Sequence, residues 1–220
     1  MTSSWYEDRP ELAEEIRAEL RARFPNLHLF IDGAGKAEIR GTYPVCSSQG
    51  KVLDRFQIVI ELPSDYPKAL PIVREVGGRI PRKVDFHMES DGRACVLLPD
   101  DRWRCFPEGA AFTSFLDGPL HDYFLGQSLV ALGESWPFGE WSHGTEGLYE
   151  YYQDLLGTTD QAAIQRYLHI LSADVLRGHW DCPCGSGLRV RKCCQAAIIE
   201  LRRKIPPAIA RKTLSRLRQA

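Results

Sequence analysis

The stretch DFHMESDGRACVLLPDDRW, Asp85–Trp103, is the part of the chain from which its fold and chemistry are best predicted. It holds a single cysteine, Cys95, three residues after Gly92 and directly before the apolar run Val96-Leu97-Leu98. This pattern predicts a thiol on a short turn that leads into a buried strand, fixed in place yet accessible. Such a thiol is a candidate nucleophile that could carry an acyl group. The alternative is that Cys95 is a small packed residue, as lone cysteines usually are.

The composition of the whole chain narrows the possible classes of protein. The 220 residues are 44% hydrophobic and 26% charged, which is typical of a globular protein with one good core and a small second module. A net charge of −1 gives no sign of a nucleic-acid-binding protein. No long apolar run and no charged-then-apolar leader is present, so we expect no membrane span. Four of the seven cysteines fall within 13 residues, which favours metal binding and a reducing cytoplasm.

The residues before Cys95 predict an α+β fold. Residues 1–7 are expected to be frayed, and Asp8 with Glu11 resembles a capping box for an amphipathic helix over Glu11–Phe24. A stiff proline-rich loop is expected over Pro63–Pro71. The strands of a four-stranded antiparallel meander are predicted at Leu27–Ile31, Ala37–Tyr43, Arg55–Leu62 and Ile72–Val76.

The rest of the chain is expected to be helical around one compact cysteine unit. Helical packing after Trp103 should be interrupted at Gly118-Pro119, and helices are predicted over Glu146–Leu156 and Gln161–Leu176. Pro206-Pro207 should split the basic tail into two short helices. We therefore divide the chain into a main domain with a helical extension (1–158), a connecting helix (159–180), a zinc knuckle (181–195) and a basic helical tail (196–220).

The knuckle offers four thiols as metal ligands: Cys182, Cys184, Cys193 and Cys194. Two pairs joined by a glycine-rich turn can place four sulfur atoms tetrahedrally around one ion, and zinc is the usual ion for four thiolates. With all four positions filled, no site stays open for substrate, so the zinc would be structural. The alternative is a set of unligated or disulfide-bonded thiols, although the adjacent Cys193 and Cys194 could not easily pair with each other.

The run Cys182-Pro-Cys184-Gly-Ser-Gly with the pair Cys193-Cys194 resembles the SEC-C motif. This zinc knuckle occurs at the C-terminus of the SecA translocation motor and on many unrelated bacterial proteins. The resemblance covers about 15 residues. It implies a protein-binding or membrane-proximal appendage and does not name an activity.

Three features around Cys95 stand in a characteristic order: Tyr66-Pro67 with Pro71, then Gly92-Arg93-Ala94-Cys95, then Trp103 eight residues after the cysteine. A predicted helix and a four-stranded meander precede these features. The whole order resembles that of the ubiquitin-conjugating enzymes, which carry ubiquitin as a thioester. The resemblance runs from the N-terminal helix to about Leu132. It departs from the family at His87, where the family usually has an asparagine eight residues before the cysteine.

The resemblance implies an activity for Cys95 and a role for His87. Cys95 would accept the C-terminal carboxyl group of a protein by transthioesterification and pass it to an amine. His87 could donate a hydrogen bond to the oxyanion or act as a base, or it could simply be a loop residue. Similar bacterial proteins that lack the asparagine occur beside ubiquitin-like proteins, or beside cyclic-oligonucleotide synthases in antiphage (CBASS) systems. Either protein is thus an expected partner, with an activating enzyme as a possible third.

Four acidic residues lie near Cys95 in the sequence: Glu89, Asp91, Asp100 and Asp101. Their negative charge would raise the pKa of the Cys95 thiol, slow its oxidation and attract a lysine. The alternative, expected for at least two of them, is that they are ordinary solvated loop acids.

Two other functions stay open. A non-catalytic adaptor would use the same fold only to bind a partner, with Cys95 as a packed residue. A cysteine hydrolase would need His87 or His143 within hydrogen-bond reach of the sulfur. Cys105 could be a second reactive thiol, although a packed residue is the simpler interpretation.

Overall fold

A computed structural model of the 220-residue chain describes residues 4–33, 35–138, 142 and 144–219. The chain forms two compact units. The first unit comprises Met1–Leu98 and Cys105–Phe138, and the second comprises Pro99–Arg104 and Gly139–Ala220. Each unit is therefore described by itself.

The first unit opens with a helical segment and a four-stranded sheet. Helix α1 (Trp5–Asp8) precedes helix α2 (Pro10–Arg23). The sheet has the order β1-β2-β3-β4, with every neighbouring pair antiparallel. This confirms the predicted α+β class and the antiparallel meander. The strands are β1 (Leu27–Ile31), β2 (Ala37–Cys46), β3 (Val52–Leu62) and β4 (Ile72–Glu75).

The core of the first unit follows from the alternation of apolar residues along β3. Phe56, Ile58, Ile60 and Leu62 are all buried, as their period of two predicts. Helix α2 adds Ile16 and Leu20 from one face to the same core, because residues four apart lie on one side of a helix. The core thus forms between the sheet and the helices of this unit.

Two details of the N-terminus differ from the sequence predictions. Residues 5–8 form helix α1 instead of fraying, and Trp5 is 4% exposed because it packs against Tyr66 of the proline-rich loop. The capping box is formed by Ser4 and Glu7, whose carboxylate accepts the Ser4 N–H at 2.9 Å. The predicted Asp8–Glu11 box is wrong, because Arg9 occupies the N-cap position of α2.

The predicted buried strand after Cys95 does not form. Val96 and Leu97 pack against the core but are only half-buried, and the last paired residue before them is Ala94, which forms an isolated bridge with Met88. Pro99 then begins a 3-10 turn, Pro99–Asp101, and has no N–H to donate to a strand ladder. The apolar run is therefore a short half-buried connection.

The chain then passes through α3 (Arg102–Cys105) and into the remaining helices of the first unit. These are α4 (Phe112–Phe115), a π-helical segment over Leu116–Leu120, and α5 (His121–Ala131). The interruption predicted at Gly118-Pro119 is confirmed, because Gly118 has non-helical torsion angles (φ −100°, ψ −105°).

The second unit is helical around the cysteine unit. Its helices are α6 (Gly144–Leu156), α7 (Gln161–Leu171), α8 (Gln195–Lys204) and α9 (Pro207–Gln219). The two tail helices meet at the Pro206-Pro207 pair, as predicted. Helix α7 ends five residues earlier than predicted, where the Arg202 guanidinium donates to the carbonyls of Ile170, Leu171 and Ala173.

Candidate functional site

Cys95 lies on a turn that is fastened to the sheet by its backbone. The Cys95 side chain is exposed, while its N–H donates to the His87 carbonyl at 2.8 Å. The preceding N–H, of Ala94, donates to the Val73 carbonyl of β4 at 2.9 Å. Because the backbone on its N-terminal side is held in this way, the thiol is both fixed and accessible. The exposed thiol on a turn agrees with the sequence prediction, whereas the buried strand predicted after it does not form.

The turn before Cys95 depends on one glycine. The Gly92 N–H donates to the Glu89 carbonyl at 2.9 Å, and the Glu89 N–H donates to the Arg93 carbonyl at 2.8 Å. Gly92 has a φ of 83°, a left-handed conformation that favours glycine. The glycine three residues before the cysteine therefore shapes the turn that presents the thiol.

The Cys95 thiol has a carboxylate within hydrogen-bond reach. The Cys95 sulfur lies 3.6 Å from Glu89 Oε1, with the thiol as donor. A carboxylate that accepts the thiol proton stabilises the neutral thiol and disfavours the thiolate. Asp91, by contrast, pairs with Arg93 at 2.7 Å. The Arg93 backbone N–H is the largest cause that lowers the pKa of Asp91.

The other two acids of the stretch belong to the second unit and are buried. Asp100 is 3% exposed and Asp101 is 6% exposed. Asp100 Oδ1 accepts hydrogen bonds from the Tyr152 hydroxyl at 2.5 Å and from the Thr213 hydroxyl at 2.7 Å. Burial raises the pKa of Asp100 despite these donors. Glu89 and Asp91 are thus the solvated pair of the four acids, and Asp100 is part of a buried network.

His87 contacts Cys95 through its backbone and stacks its ring on a tryptophan. It has a left-handed conformation (φ 49°), and its carbonyl accepts the Cys95 N–H. The imidazole centroid lies 4.3 Å from the Trp136 ring, at 41° between planes. His143, the other histidine considered for a dyad, lies outside the described residues, as does Trp141. The structure therefore brings His87 next to Cys95 in the fold and gives its ring an aromatic neighbour.

Trp136 and Tyr123 are parts of this site that sequence analysis missed. Trp136 rests on Gly126 of α5, where an added Cβ would lie 2.6 Å from the indole ring. The ring of Tyr123 lies 6.2 Å from the same indole. The only signal for Trp136 in the sequence is its place in an aromatic-rich segment with Phe138 and Trp141. Its contact with His87 joins residues far apart in the chain, and no local pattern predicts such a contact.

The Tyr123 hydroxyl is buried beneath this aromatic group and has an unusual environment. It lies beside Gln127 but makes no hydrogen bond of normal geometry with any described residue. Burial raises the pKa of Tyr123, and the nearby Cys95 thiol adds to the effect. A buried hydroxyl without a well-formed hydrogen bond costs free energy.

Trp103, the tryptophan eight residues after Cys95, makes its described contacts in the second unit. Its indole N–H donates to the Tyr151 hydroxyl at 3.1 Å, and Lys204 Nζ lies 4.4 Å from its ring centroid. Tyr151 in turn donates to the Asp100 carbonyl at 2.8 Å. The described contacts of Trp103 thus anchor Pro99–Arg104 within the second unit.

The four predicted metal ligands come together in the second unit. The sulfur atoms of Cys182, Cys184, Cys193 and Cys194 all lie within 4.8 Å of one another, with 3.4 Å between Cys184 and Cys182 and 3.5 Å between Cys184 and Cys193. Four thiolates about 2.3 Å from a tetrahedral zinc ion would be separated by about 3.8 Å. The cluster could therefore hold a metal ion, and its donors and spacing are compatible with zinc.

The backbone around the cluster supports negative charge on sulfur. The Ser186 hydroxyl, helped by the Ser186 backbone N–H, lowers the pKa of Cys184 to about 6. The N–H groups of Cys184 and Cys194 are directed at the Cys182 sulfur, although burial is the larger effect and raises the pKa of Cys182. Burial likewise raises the pKa of Cys194 to about 12. A bound cation would supply the charge that these two buried thiols need for deprotonation.

The cluster is fastened to α7 from outside the motif. Arg166 Nε donates to the Pro183 carbonyl at 3.0 Å, and the Tyr167 hydroxyl lies 3.7 Å from the Cys194 sulfur as a donor. Hydrogen bonds from neighbouring residues to a metal ligand or its backbone hold that ligand in position. The cysteine unit is thus built into the helical unit.

No protein-family model, curated protein or solved structure matches this chain. Across the described ranges, no helix has both the length and the apolar character needed to cross a membrane.

Proposed function

We propose that the chain is an acyl-transfer protein of the conjugating type, in which Cys95 carries the C-terminal carboxyl group of another protein as a thioester. The observation that carries this proposal is the exposed Cys95 sulfur, 3.6 Å from the Glu89 carboxylate, on a turn hydrogen-bonded to β4 and to His87. A packed core cysteine would not be exposed. The α+β order and the motifs around Cys95, which resemble ubiquitin-conjugating enzymes, support the same function.

The proposed reaction has two transfers. The Cys95 thiolate attacks the thioester of an activated donor, so a new C–S bond forms, the donor C–S bond breaks and the donor thiol leaves with a proton. An amine then attacks the Cys95 thioester, forming a C–N bond and returning the sulfur as a thiol. Because a thioester is already activated, the protein needs chiefly to position the amine and stabilise the oxyanion.

The residues around the thiol have separate proposed roles. Glu89 keeps the resting thiol neutral and attracts an incoming lysine ammonium by its charge. His87 could donate to the oxyanion or accept a proton from the amine, with its ring oriented by Trp136. These roles rest on the proposed reaction.

The four cysteines are proposed to bind a structural zinc ion. The ligands would be Cys182, Cys184, Cys193 and Cys194, and a bound zinc would supply a cross-link rather than a reaction centre, because four thiolates leave no open position. The knuckle would then serve as a protein-docking element, as its resemblance to the SEC-C motif implies.

The donor protein and the compartment belong to the same proposal. The donor would be a ubiquitin-like modifier or a cyclic-oligonucleotide synthase of an antiphage (CBASS) system, with an activating enzyme upstream. A reducing cytoplasm fits five functional thiols, because disulfides would inactivate them.

The test is the intact mass of Cys95→Lys protein expressed in its native host together with its neighbouring genes. A lysine at this position would trap the acyl partner as a stable amide. We expect an added mass equal to a neighbour-encoded protein, absent from Cys95→Ala and from the matched variant Cys105→Lys.

The other outcomes separate the alternatives. A folded Cys95→Lys variant without any adduct would contradict the proposal and favour the adaptor. Turnover of a partner C-terminus by the wild type, with water as acceptor and no thioester that survives quenching in acid, would favour the hydrolase.

A further inference from the structure

The second unit contains a groove that reaches Cys182 of the cysteine cluster and otherwise consists of residues without a proposed role. Two cavities of about 550 Å³ and 410 Å³ share His169 and Arg218 as lining residues, so they adjoin, and we describe them together as one groove. The larger cavity extends to Trp180 and Pro183 beside the cysteine cluster, and the smaller one extends to Arg211.

The groove has two helical walls. Helix α7 contributes residues from Ala162 to Ile170, followed by Ser172, and α9 contributes residues from Arg211 to Gln219. The helices run antiparallel, because Arg211 at the start of α9 pairs with Asp174 just beyond the end of α7, at 2.9 Å. Ten residues of helix span about 15 Å. That length fits an extended peptide of about five residues.

The charge around the groove favours an anionic ligand. The second unit carries 14 basic and 10 acidic residues, a net charge of +4, and no acid follows Glu200. Arg166 and Arg211 are paired with Asp160 and Asp174. Asp181 also lines the larger cavity, and its carboxylate is paired with Arg189 at 2.7 Å. Arg218, shared by both cavities, has no carboxylate partner among the described residues.

The lining favours a peptide over nucleic acid. The half-buried Trp180 gives the groove apolar surface near its cations, above the buried side chains of Ile170 and Leu214. A nucleic-acid backbone presents a phosphate at every step and is best bound by a continuous row of cations. An extended peptide directs successive side chains to opposite sides, so acids can face Arg218 while apolar side chains face Trp180.

We propose that this groove binds an extended acidic peptide segment of a partner protein, with acidic side chains at Arg218 and an apolar side chain at Trp180. The inference does not depend on thioester formation at Cys95. It concerns only residues of the second unit, so a Cys95 variant would leave it unaffected.

The probe is a fluorescein-labelled pool of seven-residue peptides in which Asp or Glu alternates with randomised apolar residues. Fluorescence anisotropy with the full-length, zinc-loaded chain should give micromolar binding at 50 mM salt. Arg218→Glu should weaken this binding at least tenfold. The matched control is Lys212→Glu, an exposed residue of the same helix that lines neither cavity, for which we expect less than a threefold change.

Three results would overturn the proposal. They are no binding of the pool at 50 mM salt, equal loss with Arg218→Glu and Lys212→Glu, and preferential binding of a labelled oligo-dT of equal length. The second would indicate diffuse attraction to the basic tail, and the third would assign the groove to single-stranded nucleic acid. Circular dichroism of both variants verifies that each is folded.

Discussion

The two compact units place their cysteines in opposite environments. In the first unit, Cys95 is exposed and its sulfur lies 3.6 Å from a carboxylate. In the second unit, four cysteine sulfurs lie within 4.8 Å of one another, with backbone N–H groups and the Ser186 hydroxyl directed at them. The first places a lone thiol beside a carboxylate, and the second can support thiolates around a cation.

The net charges of the two units also differ. The first unit carries 14 basic and 19 acidic residues, a net charge of −5, whereas the second has a net charge of +4. Cysteine spacing alone therefore does not define a function. The reactivity of a lone thiol depends on the group that accepts its proton, and metal binding by a cluster depends on whether its geometry fits one ion.

The largest effect is expected from breaking the cluster. Cys182→Ser removes a buried ligand, so zinc content should fall from about one ion per chain to none. Because metal binding and folding are coupled, the thermal midpoint should fall by roughly 10 °C or more. Elemental analysis and thermal denaturation measure the two quantities.

The control for this variant is Cys46→Ser, a cysteine of β2 outside the cluster, which should keep its zinc. If wild-type protein purified with excess zinc holds none, the cluster is not a metal centre, and the cysteines of the second unit need another explanation.

A smaller effect is expected at the single thiol. Glu89→Gln removes the negative charge beside the sulfur, so more thiolate should be present and alkylation of Cys95 at pH 7 should become roughly threefold faster. Stopped-flow or quenched reaction with iodoacetamide gives the rate. Asp91→Asn, an acid two residues away that is paired with Arg93, should change the rate much less. An equal increase in both variants would mean that the contact with Glu89 has no specific effect.

Sequence patterns predicted those parts of the molecule whose structure depends on residues close together in the chain. The alternation of Phe56, Ile58, Ile60 and Leu62 gave strand β3 and its buried face, because side-chain direction in a strand has a period of two. The short spacing within Cys182–Cys194 gave the cluster, because a glycine-rich turn is enough to bring those sulfurs together.

The features that were missed depend on distant partners. Asp100 is buried because Tyr152 and Thr213 donate to it, and these residues lie 52 and 113 positions away in the chain. Trp5 joins the core only because Tyr66 packs against it. The stacking of His87 on Trp136 needs Gly126 to leave room for the indole. No sequence window contains both members of these contacts.

The most direct test of the two environments is timed alkylation of the zinc-loaded chain with N-ethylmaleimide, followed by mass mapping of each cysteine. We expect Cys95 to be modified first and the four cluster cysteines to stay protected until a chelator is added, after which they react. Rapid modification of the cluster in the presence of zinc, or a Cys95 that reacts only after denaturation, would contradict this expectation.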